Sequence, residues 1–228
     1  MTLKRIDNIA GLPLLYDRKP ASNYGKTGFV MRPYIDTDFS VEVETAFRKL
    51  LDNIRDAGFG AVKAILSGGI GRAGTGPSYH HRNRAFDLDG LVFDDGDIWV
   101  ADTFPERPYF YLGVEATLRQ HFGTILTYLY NSDHENHLHF DNGDSVKFVR
   151  YSKSRVLFLQ NAIQLLYDIP VGIDGVYGPE TEQAERRMRQ DLGLGGFSDK
   201  SNWVKFLALA ASEAFDREMA AIRIAGGQ

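Results

Sequence analysis

The segment SYHHRNRAFDLDG, residues 78–90, and the segment DHENHLHFD, residues 133–141, decide the fold of this chain. In the second half of each segment apolar and polar residues alternate, which is typical of a strand whose successive side chains point to opposite faces. The apolar positions are Phe86, Leu88, Leu138 and Phe140, and the polar positions are Asp87, Asp89, His137, His139 and Asp141. We therefore expect two strands that pack one face on the core and present histidine and aspartate on the other.

Five of the six histidines fall in these two segments, namely His80, His81, His134, His137 and His139. Imidazole nitrogens and carboxylate oxygens are ligands that zinc accepts, and a catalytic zinc site keeps one position for water. A single His-x-His pair more often belongs to a solvated strand face or a polar network. Two clusters on the polar faces of predicted strands favour a metal site, while the role of each residue stays open from the pattern alone.

The composition is that of a globular protein of 228 residues, with 43% hydrophobic residues and a net charge of −4. This balance lacks the excess of basic residues that is typical of nucleic-acid binding, so we expect no nucleic-acid partner. The absence of cysteine excludes disulfides, thiolate metal ligands and cysteine nucleophiles. Because no apolar stretch approaches the ~18–20 residues of a membrane helix, we also expect no membrane insertion.

The pattern around the two segments predicts an α+β fold with helices packed on a small antiparallel sheet. The first 40 residues are expected to be irregular, with one short strand at 28–31. Apolar residues at three- and four-residue steps predict a helix after residue 40 that is closed at Gly58. The other predicted elements are a helix at 111–122 and strands at 61–66, 85–93, 97–101, 125–130 and 137–141.

The last third of the chain changes to a helical pattern. Apolar residues share one helical face over 156–166, and Pro179 suits the first position of a second helix. A third helix is predicted over 201–222. We therefore expect two domains, residues 1–148 and residues 149–228, of which the second is an all-α three-helix module.

The two histidine-rich segments resemble the motifs of the LAS zinc peptidases, a group of D-Ala-D-Ala carboxypeptidases and murein endopeptidases. Ser78, His80 and Asp87 match the Ser-x-His-(x)6-Asp signature, and His137 and His139 match the His-x-His motif. The likeness is closest to the extensin-like C-terminal branch and covers residues 41–141. It implies the LAS/hedgehog-like fold. One departure is Asn83, where the family usually has glycine.

The resemblance implies a site for one zinc ion, with His80, Asp87 and His139 as its ligands. It also implies that His137 is the catalytic residue beside the metal, as a base or as a stabiliser of the transition state. An imidazole of pKa ~6.5 can hold or move a proton at neutral pH. Arg72, in the glycine-rich segment before the first motif, is expected to grip the substrate. A merely solvated loop arginine is the alternative.

The remaining polar residues of the two segments are predicted to support this site. Ser78 matches the motif serine and is expected to hydrogen-bond the substrate or to hold the loop. Asp89 and Asp141 are predicted to accept hydrogen bonds from imidazoles and so orient them. His81 and His134 are predicted to lie on the surface or behind the ligands rather than to bind metal.

The last third of the chain resembles a peptidoglycan-binding domain of the three-helix type. The matching residues are Leu159, Gln160, Asp174, Gly175, Gly178, Pro179, Thr181 and Ala184. Glu185, Met188 and Arg189 depart from the apolar residue, phenylalanine and glutamine that are usual there. The resemblance implies affinity for peptidoglycan, and a purely structural or docking role is the alternative.

Both resemblances point to the same polymer. We therefore expect a zinc metallopeptidase that hydrolyses peptidoglycan stem peptides or crosslinks at a bond involving D-alanine, as an endopeptidase or a D,D-carboxypeptidase. A catalytically silent wall-binding or structural protein that keeps the fold is one alternative. A zinc enzyme for small D,D-dipeptides is another.

The sequence also predicts where the protein acts and in what form. No signal peptide is visible at the start, so we expect delivery to the cell wall or periplasm by lysis or injection, as for a phage endolysin or an injected effector. We expect a monomer. We also expect that a chain ending near residue 150 keeps its activity on small soluble muropeptides.

Overall fold

The structure, a computed structural model, describes residues 2–16 and 28–226. The predicted α+β class is confirmed, with five α-helices and two sheets in those residues. The strands are β1 (Leu3–Arg5), β2 (Asn8–Ile9), β3 (Leu12–Leu15), β4 (Tyr34–Asp36), β5 (Val62–Gly69), β6 (Ala85–Phe93), β7 (Ile98–Val100), β8 (Thr124–Leu126) and β9 (Leu138–Asp141). The helices are α1 (Thr37–Asp56), α2 (Pro108–Arg119), α3 (Lys153–Tyr167), α4 (Pro179–Asp191) and α5 (Lys200–Ala225).

The larger sheet is mixed and has the strand order β2-β3-β5-β6-β9-β8. Only β3 and β5 are parallel among its described pairs. The central strand β6 pairs with β9 along its first half and with β7 along its second half. Gly90 begins the β7 pairing, where a Cβ atom would lie 2.3 Å from the carbonyl oxygen of Trp99. A glycine is therefore needed where β6 exchanges one partner for the other.

The expectation of irregular chain over the first 40 residues is wrong, because β1 to β4 lie there. β1 pairs with β4, while β3 extends the larger sheet beside β5. The strand expected at 28–31 is reduced to a single bridge between Leu15 and Val30. Strands β1 to β4 are two to four residues long, which is too short for an alternating pattern to predict them.

Helix α1 covers the core face of the larger sheet. It begins after Asp36, whose carboxylate accepts a hydrogen bond of 3.2 Å from the backbone N–H of Phe39. Phe47 lies against Phe86 and Phe140, whose rings stack across β6 and β9 with centroids 5.1 Å apart. Since these rings anchor the apolar faces of β6 and β9, the histidine and aspartate side chains of both strands face the opposite side.

Helices α3, α4 and α5 build a second core, which α2 shares. Leu112 and Ala116 of α2 are buried in that core, while Phe215 of α5 is buried in the first one. The Phe215 ring lies so close to Gly113 of α2 that a Cβ atom there would be 2.7 Å from it. Glu218 of α5 accepts a hydrogen bond of 3.2 Å from the first turn of α2. Helices α3, α4 and α5, which we call the helical unit, are thus packed firmly on the α+β part of the chain.

The domain boundary predicted between residues 148 and 149 stays a prediction. The helices that follow it share their core with α2, which precedes it in the chain. Among the described helices, none combines the length and the apolar character that crossing a membrane requires.

Candidate metal centre

Three separate elements bring the predicted zinc ligands together. His80 lies on a short 3-10 helix, Tyr79–Arg82, Asp87 lies on β6 and His139 lies on β9. Asp87 and His139 are directly paired across the two strands, so their side chains leave the same face of the sheet side by side. All three side chains are buried, with at most 8% of each residue exposed.

The three inward-facing atoms form a nearly equilateral triangle. His80 Nε2 lies 3.1 Å from Asp87 Oδ1 and 3.1 Å from His139 Nδ1, and His139 Nδ1 lies 3.1 Å from Asp87 Oδ1. Two ligand atoms that bind one tetrahedral zinc ion at ~2.0–2.1 Å are separated by about 3.3–3.4 Å. The triangle therefore comes close to three corners of a zinc tetrahedron, and these residues could hold a metal ion.

The outer nitrogen of each histidine of the triangle has a partner that fixes the role of the inner nitrogen. His80 Nδ1 lies 2.8 Å from the carbonyl oxygen of Ile70, and His139 Nε2 lies 3.1 Å from Asp141 Oδ2. Because both partners are acceptors, each outer nitrogen donates its proton, and each neutral ring keeps a lone pair on the inner nitrogen. Two lone pairs and a carboxylate oxygen then converge on one point, which calls for a cation or a proton between them.

The ionisation of the cluster reflects this demand for positive charge. Burial alone would raise the pKa of Asp87, but its close contacts with the imidazoles of His139 and His80 hold it well below its usual range. Burial alone would lower the pKa of His139, but its hydrogen bonds to Asp141 and Asp87 raise it to about 9. In the absence of metal, His139 therefore holds a proton at neutral pH, and a metal ion must displace that proton.

His137 lies beside the triangle without belonging to it. Its Nε2 atom is 3.5 Å from Asp87 Oδ1, and its Nδ1 atom is 2.7 Å from Asn136 Oδ1. Among the described residues, only His80, Asp87 and His139 form a group of potential ligands close enough to share one ion. The imidazole of His137 can therefore present Nε2 to a molecule bound at the centre, with Asn136 holding the opposite nitrogen.

His134 also lines the cleft, half-buried and outside the triangle, and its prediction as a surface or supporting residue rather than a ligand stays a prediction. Its ring centroid lies 5.1 Å from that of His137 and 5.9 Å from that of His139. Its Nδ1 atom is hydrogen-bonded to Asn131 Oδ1, and burial lowers its pKa below the usual value for histidine. The position three residues before His137, on a 3-10 helix rather than a strand, gave no sequence signal for this orientation.

The triangle lies in an open cleft of about 680 Å³. The other residues that line it include Arg72, Ser78, Tyr79, Leu126, His134, Asn136 and His137. Arg72 is exposed at the rim, and its backbone N–H donates to the carbonyl oxygen of His80 at 3.1 Å. Ser78 precedes the 3-10 helix, and its hydroxyl accepts a hydrogen bond of 3.3 Å from the N–H of His80. Of the two roles predicted for Ser78, this contact provides the one that holds the loop.

Asn83, the departure from the family pattern, preserves the shape of the loop between the first two ligands. It has a φ of 53°, in the left-handed region that glycine adopts freely and asparagine tolerates best among other residues. Its backbone N–H donates to the carbonyl oxygen of His80 at 3.1 Å and closes the 3-10 helix. The loop therefore keeps a glycine-like conformation without glycine.

Asp141, Asp89 and His81 lie around the triangle and differ in what they contact. Asp141 accepts from His139, as predicted, and also from the N–H of Gly143 at 2.8 Å. Asp89 is buried two residues beyond Asp87 on β6. His81 lies outside the triangle, with its Nδ1 atom 3.1 Å from the carbonyl oxygen of Arg72. His81 therefore braces the glycine-rich loop and is not a ligand in this arrangement.

The motif residues of the helical unit are engaged with one another. Gln160 Oε1 accepts from the N–H groups of Asp174 and Gly175 at 3.1 and 2.8 Å. Gln160 Nε2 donates to Asp174 Oδ1, to Thr181 Oγ1 and to the carbonyl oxygen of Val176 at 2.9 to 3.1 Å. These residues shape the loop between α3 and α4, so the motif here is a signature of fold.

The residues that depart from this second motif fit together as well. Glu185 is buried, and its carboxylate accepts hydrogen bonds from Arg189 Nε at 2.7 Å and from the Tyr177 hydroxyl. Met188 is buried in the helical core. A buried carboxylate is tolerated here because it has both a charged and a neutral donor.

Comparison with known proteins gives one finding. The family model described as "Extensin-like protein C-terminus" matches residues 31–151, which include all three residues of the triangle and His137. No curated protein and no solved structure matches the chain significantly. The family is of the LAS-like peptidase type. Because the match spans more than half of the chain, this protein belongs to the extensin-like protein C-terminus family.

Proposed function

We propose that this protein is a zinc metallopeptidase that hydrolyses peptidoglycan stem peptides or crosslinks at a bond involving D-alanine. The observation that carries the proposal is the convergence of His80, Asp87 and His139 at the floor of an open cleft, with His137 beside them. A purely structural cluster would not need to face an opening of this size.

The residues of the cleft suit hydrolysis. When bound, a zinc ion lowers the pKa of its water toward ~7 and polarises a carbonyl group. His137 has its Nδ1 atom held by Asn136 and faces the cleft with Nε2, which would accept a proton there and return it to the leaving amine. Asp141 and Ile70 keep His139 and His80 oriented with their lone pairs inward.

Arg72 is the residue that we propose binds the substrate. Its side chain reaches the cleft rim from the glycine-rich loop, and a guanidinium can bind a carboxylate through two parallel hydrogen bonds. A D,D-carboxypeptidase substrate has a terminal carboxylate beside the scissile bond, whereas a crosslink through a lysine side chain has none there. The effect of Arg72→Ala on these two substrates would therefore distinguish a D,D-carboxypeptidase from an endopeptidase.

We also propose peptidoglycan as the partner of the helical unit, on the resemblance of its sequence. Because its motif residues bond to one another, any contact with the wall must come from exposed residues such as Tyr151 and Val176. A monomeric, endolysin-like or injected enzyme that acts at the wall is consistent with this assignment.

Digestion of purified sacculi tests the activity. Zinc-loaded protein should release fragments whose masses reveal a cut peptide bond, and a chelator should stop the release. His137→Ala should release fragments about 10²–10⁴-fold more slowly, while the adjacent Asn136→Ala should lose less, since Asn136 only orients the ring. Release of no fragment by the loaded protein, together with retention on sacculi, would favour the alternative of a silent wall-binding protein.

A further inference from the structure

Strand β8 forms one edge of the larger sheet and lies directly beside the ligand strand β9. Leu126 pairs with His139, and Thr124 pairs with Asp141. An edge strand leaves backbone groups unpaired on its outer side, and they need partners if the edge is covered. The conformation of β8 therefore bears on the ligand strand, and what covers its outer side matters to the metal centre.

The outer side of β8 is covered by consecutive residues of the first turn of α3. Ser154 donates from its hydroxyl to the carbonyl oxygen of Ile125. Arg155 donates from Nε and from a terminal nitrogen to the carbonyl oxygen of Gly123, at 3.1 and 2.9 Å. Both side chains are buried. We call Ser154 and Arg155 the edge clamp, because they take the place of a further strand.

A buried ion pair on α2 supports the clamp. Arg119 donates to Glu115 Oε1 at 2.7 Å, to Ser154 Oγ at 2.8 Å and to the carbonyl oxygen of Ile125 at 3.3 Å. Arg119 and Glu115 are 2% and 3% exposed. Because an unpaired charge is costly at such burial, this network holds the clamp in one geometry.

The clamp also reaches the loop that follows the ligand strand. Arg155 donates to the carbonyl oxygen of Ser145 at 3.3 Å, and a Cβ atom on Gly123 would lie 2.5 Å from that same oxygen. One guanidinium therefore binds both the entry to β8 and the chain that leaves β9. Next to the clamp, Lys153 donates to the carbonyl oxygen of Tyr130 at 2.7 Å, ahead of the segment that carries His134 and His137.

We propose that Ser154 and Arg155 are positioning residues for the metal centre, so that the helical unit maintains the geometry of the ligands as well as any contact with the wall. This inference rests on the metal site proposed above. It leads to a different expectation for the chain that ends near residue 150, which should lose metal affinity and hydrolysis of small muropeptides together. A module that served only as a tether would leave both unchanged.

Zinc affinity of the full chain, measured by competition with a chromophoric chelator, tests the proposal. Arg155→Met should weaken zinc binding about tenfold, the lower end of the range for residues that orient metal ligands. Arg217→Met is the matched control, because Arg217 binds a backbone carbonyl and a carboxylate within the helical unit alone, at Leu165 and Asp168. The control should keep the affinity of the unaltered protein.

The measurement is made at low temperature, with circular dichroism showing that both variants are folded. Unchanged zinc affinity in Arg155→Met would overturn the proposal, because the affinity would then not depend on the clamp. An equal loss in Arg155→Met and Arg217→Met would overturn it as well, because the affinity would then follow overall stability. If Arg155→Met does not fold, the milder Ser154→Ala replaces it, with a smaller loss of zinc affinity expected. An unchanged affinity of Ser154→Ala would then contradict the proposal. If the unaltered chain binds no zinc, the proposed function fails instead.

Discussion

The two signature motifs of this chain use their polar side chains in opposite ways. In the metal centre, inner atoms of His80, Asp87 and His139 converge 3.1 Å apart and leave acceptors facing one another. In the helical unit, the polar side-chain atoms of Gln160 and Asp174 form hydrogen bonds with each other and with backbone groups of the loop between α3 and α4. The first arrangement needs a proton or a cation at its centre, whereas the second is complete in itself.

The difference teaches how to weigh a motif. Polar atoms that converge without satisfying one another incur a free-energy cost that a ligand can remove, so such a cluster indicates a binding function. Polar atoms that satisfy one another stabilise a loop and indicate a fold. Resemblance to a known motif therefore supports a function more strongly for the metal centre than for the helical unit.

Replacing adjacent histidines should sharpen this contrast most. His80→Ala removes one corner of the triangle and should abolish the binding of one zinc ion per chain, since three protein ligands are typical of such sites. His81→Ala, one residue away, removes only a contact with the glycine-rich loop and should keep the zinc. Elemental analysis of the two purified variants measures the difference, and equal zinc content in both would refute the assignment of His80.

His137→Ala should separate catalysis from metal binding. The variant should keep its zinc and lose about 10²–10⁴-fold in kcat, the range for a positioned acid–base group. His134→Ala should lose less, because the His134 ring stands at the cleft wall while His137 Nε2 is 3.5 Å from a ligand oxygen. Steady-state kinetics on a soluble muropeptide gives both values, and near-normal turnover of His137→Ala would remove that residue from the mechanism.

The pH dependence of zinc binding tests the demand for positive charge at the centre. The pKa of His139 is raised to about 9, so zinc must displace a proton below that pH. The apparent affinity should rise about tenfold per pH unit up to pH 9 and then level off. In the metal-free protein, the same raised pKa stabilises the fold fully below the unfolded pKa of ~6.5, and this contribution is lost as the pH rises through 9.

Zinc titrations and denaturant unfolding from pH 6 to pH 9.5 measure both effects. A zinc affinity that does not change with pH would contradict the protonation of His139 in the metal-free protein.

Gln160→Ala should affect stability alone. It leaves the N–H groups of Asp174 and Gly175 without their acceptor and removes one of two contacts of the Thr181 hydroxyl, which should cost about 2–3 kcal/mol of the free energy of unfolding. The exposed Gln183→Ala on α4 is the control, with an expected change within about 0.5 kcal/mol. Denaturant unfolding measures both, while a loss of affinity for sacculi in fully folded Gln160→Ala would show that the motif contacts the wall directly.

Much of the fold was predictable because periodic patterns decide long elements. The helix predicted after residue 40 and the strand predicted over 85–93 correspond to α1 and β6. The four N-terminal strands were not predictable, because strands of two to four residues depend on partners that are distant in sequence. The predicted sheet was therefore smaller than the mixed sheet that the chain forms.

The site was predictable to the extent that it follows strand alternation and the family motifs. Asp87 and His139 share a face because they are paired across β6 and β9, which alternation could indicate. The orientation of His134 and the clamp at Ser154 and Arg155 could not be predicted. Both depend on how irregular chain and helices pack on the sheet, and a local sequence pattern carries no record of that packing.

X-ray absorption at the zinc edge, on the unaltered protein and on His137→Ala, tests the central claim most directly. Both spectra should show two imidazole nitrogens, with a carboxylate and a further oxygen, at ~2.0–2.1 Å. This result would assign the ion to His80, Asp87 and His139 and leave His137 to catalysis. Three imidazoles in the unaltered protein that fall to two in His137→Ala would contradict the claim, because His137 would then be a ligand.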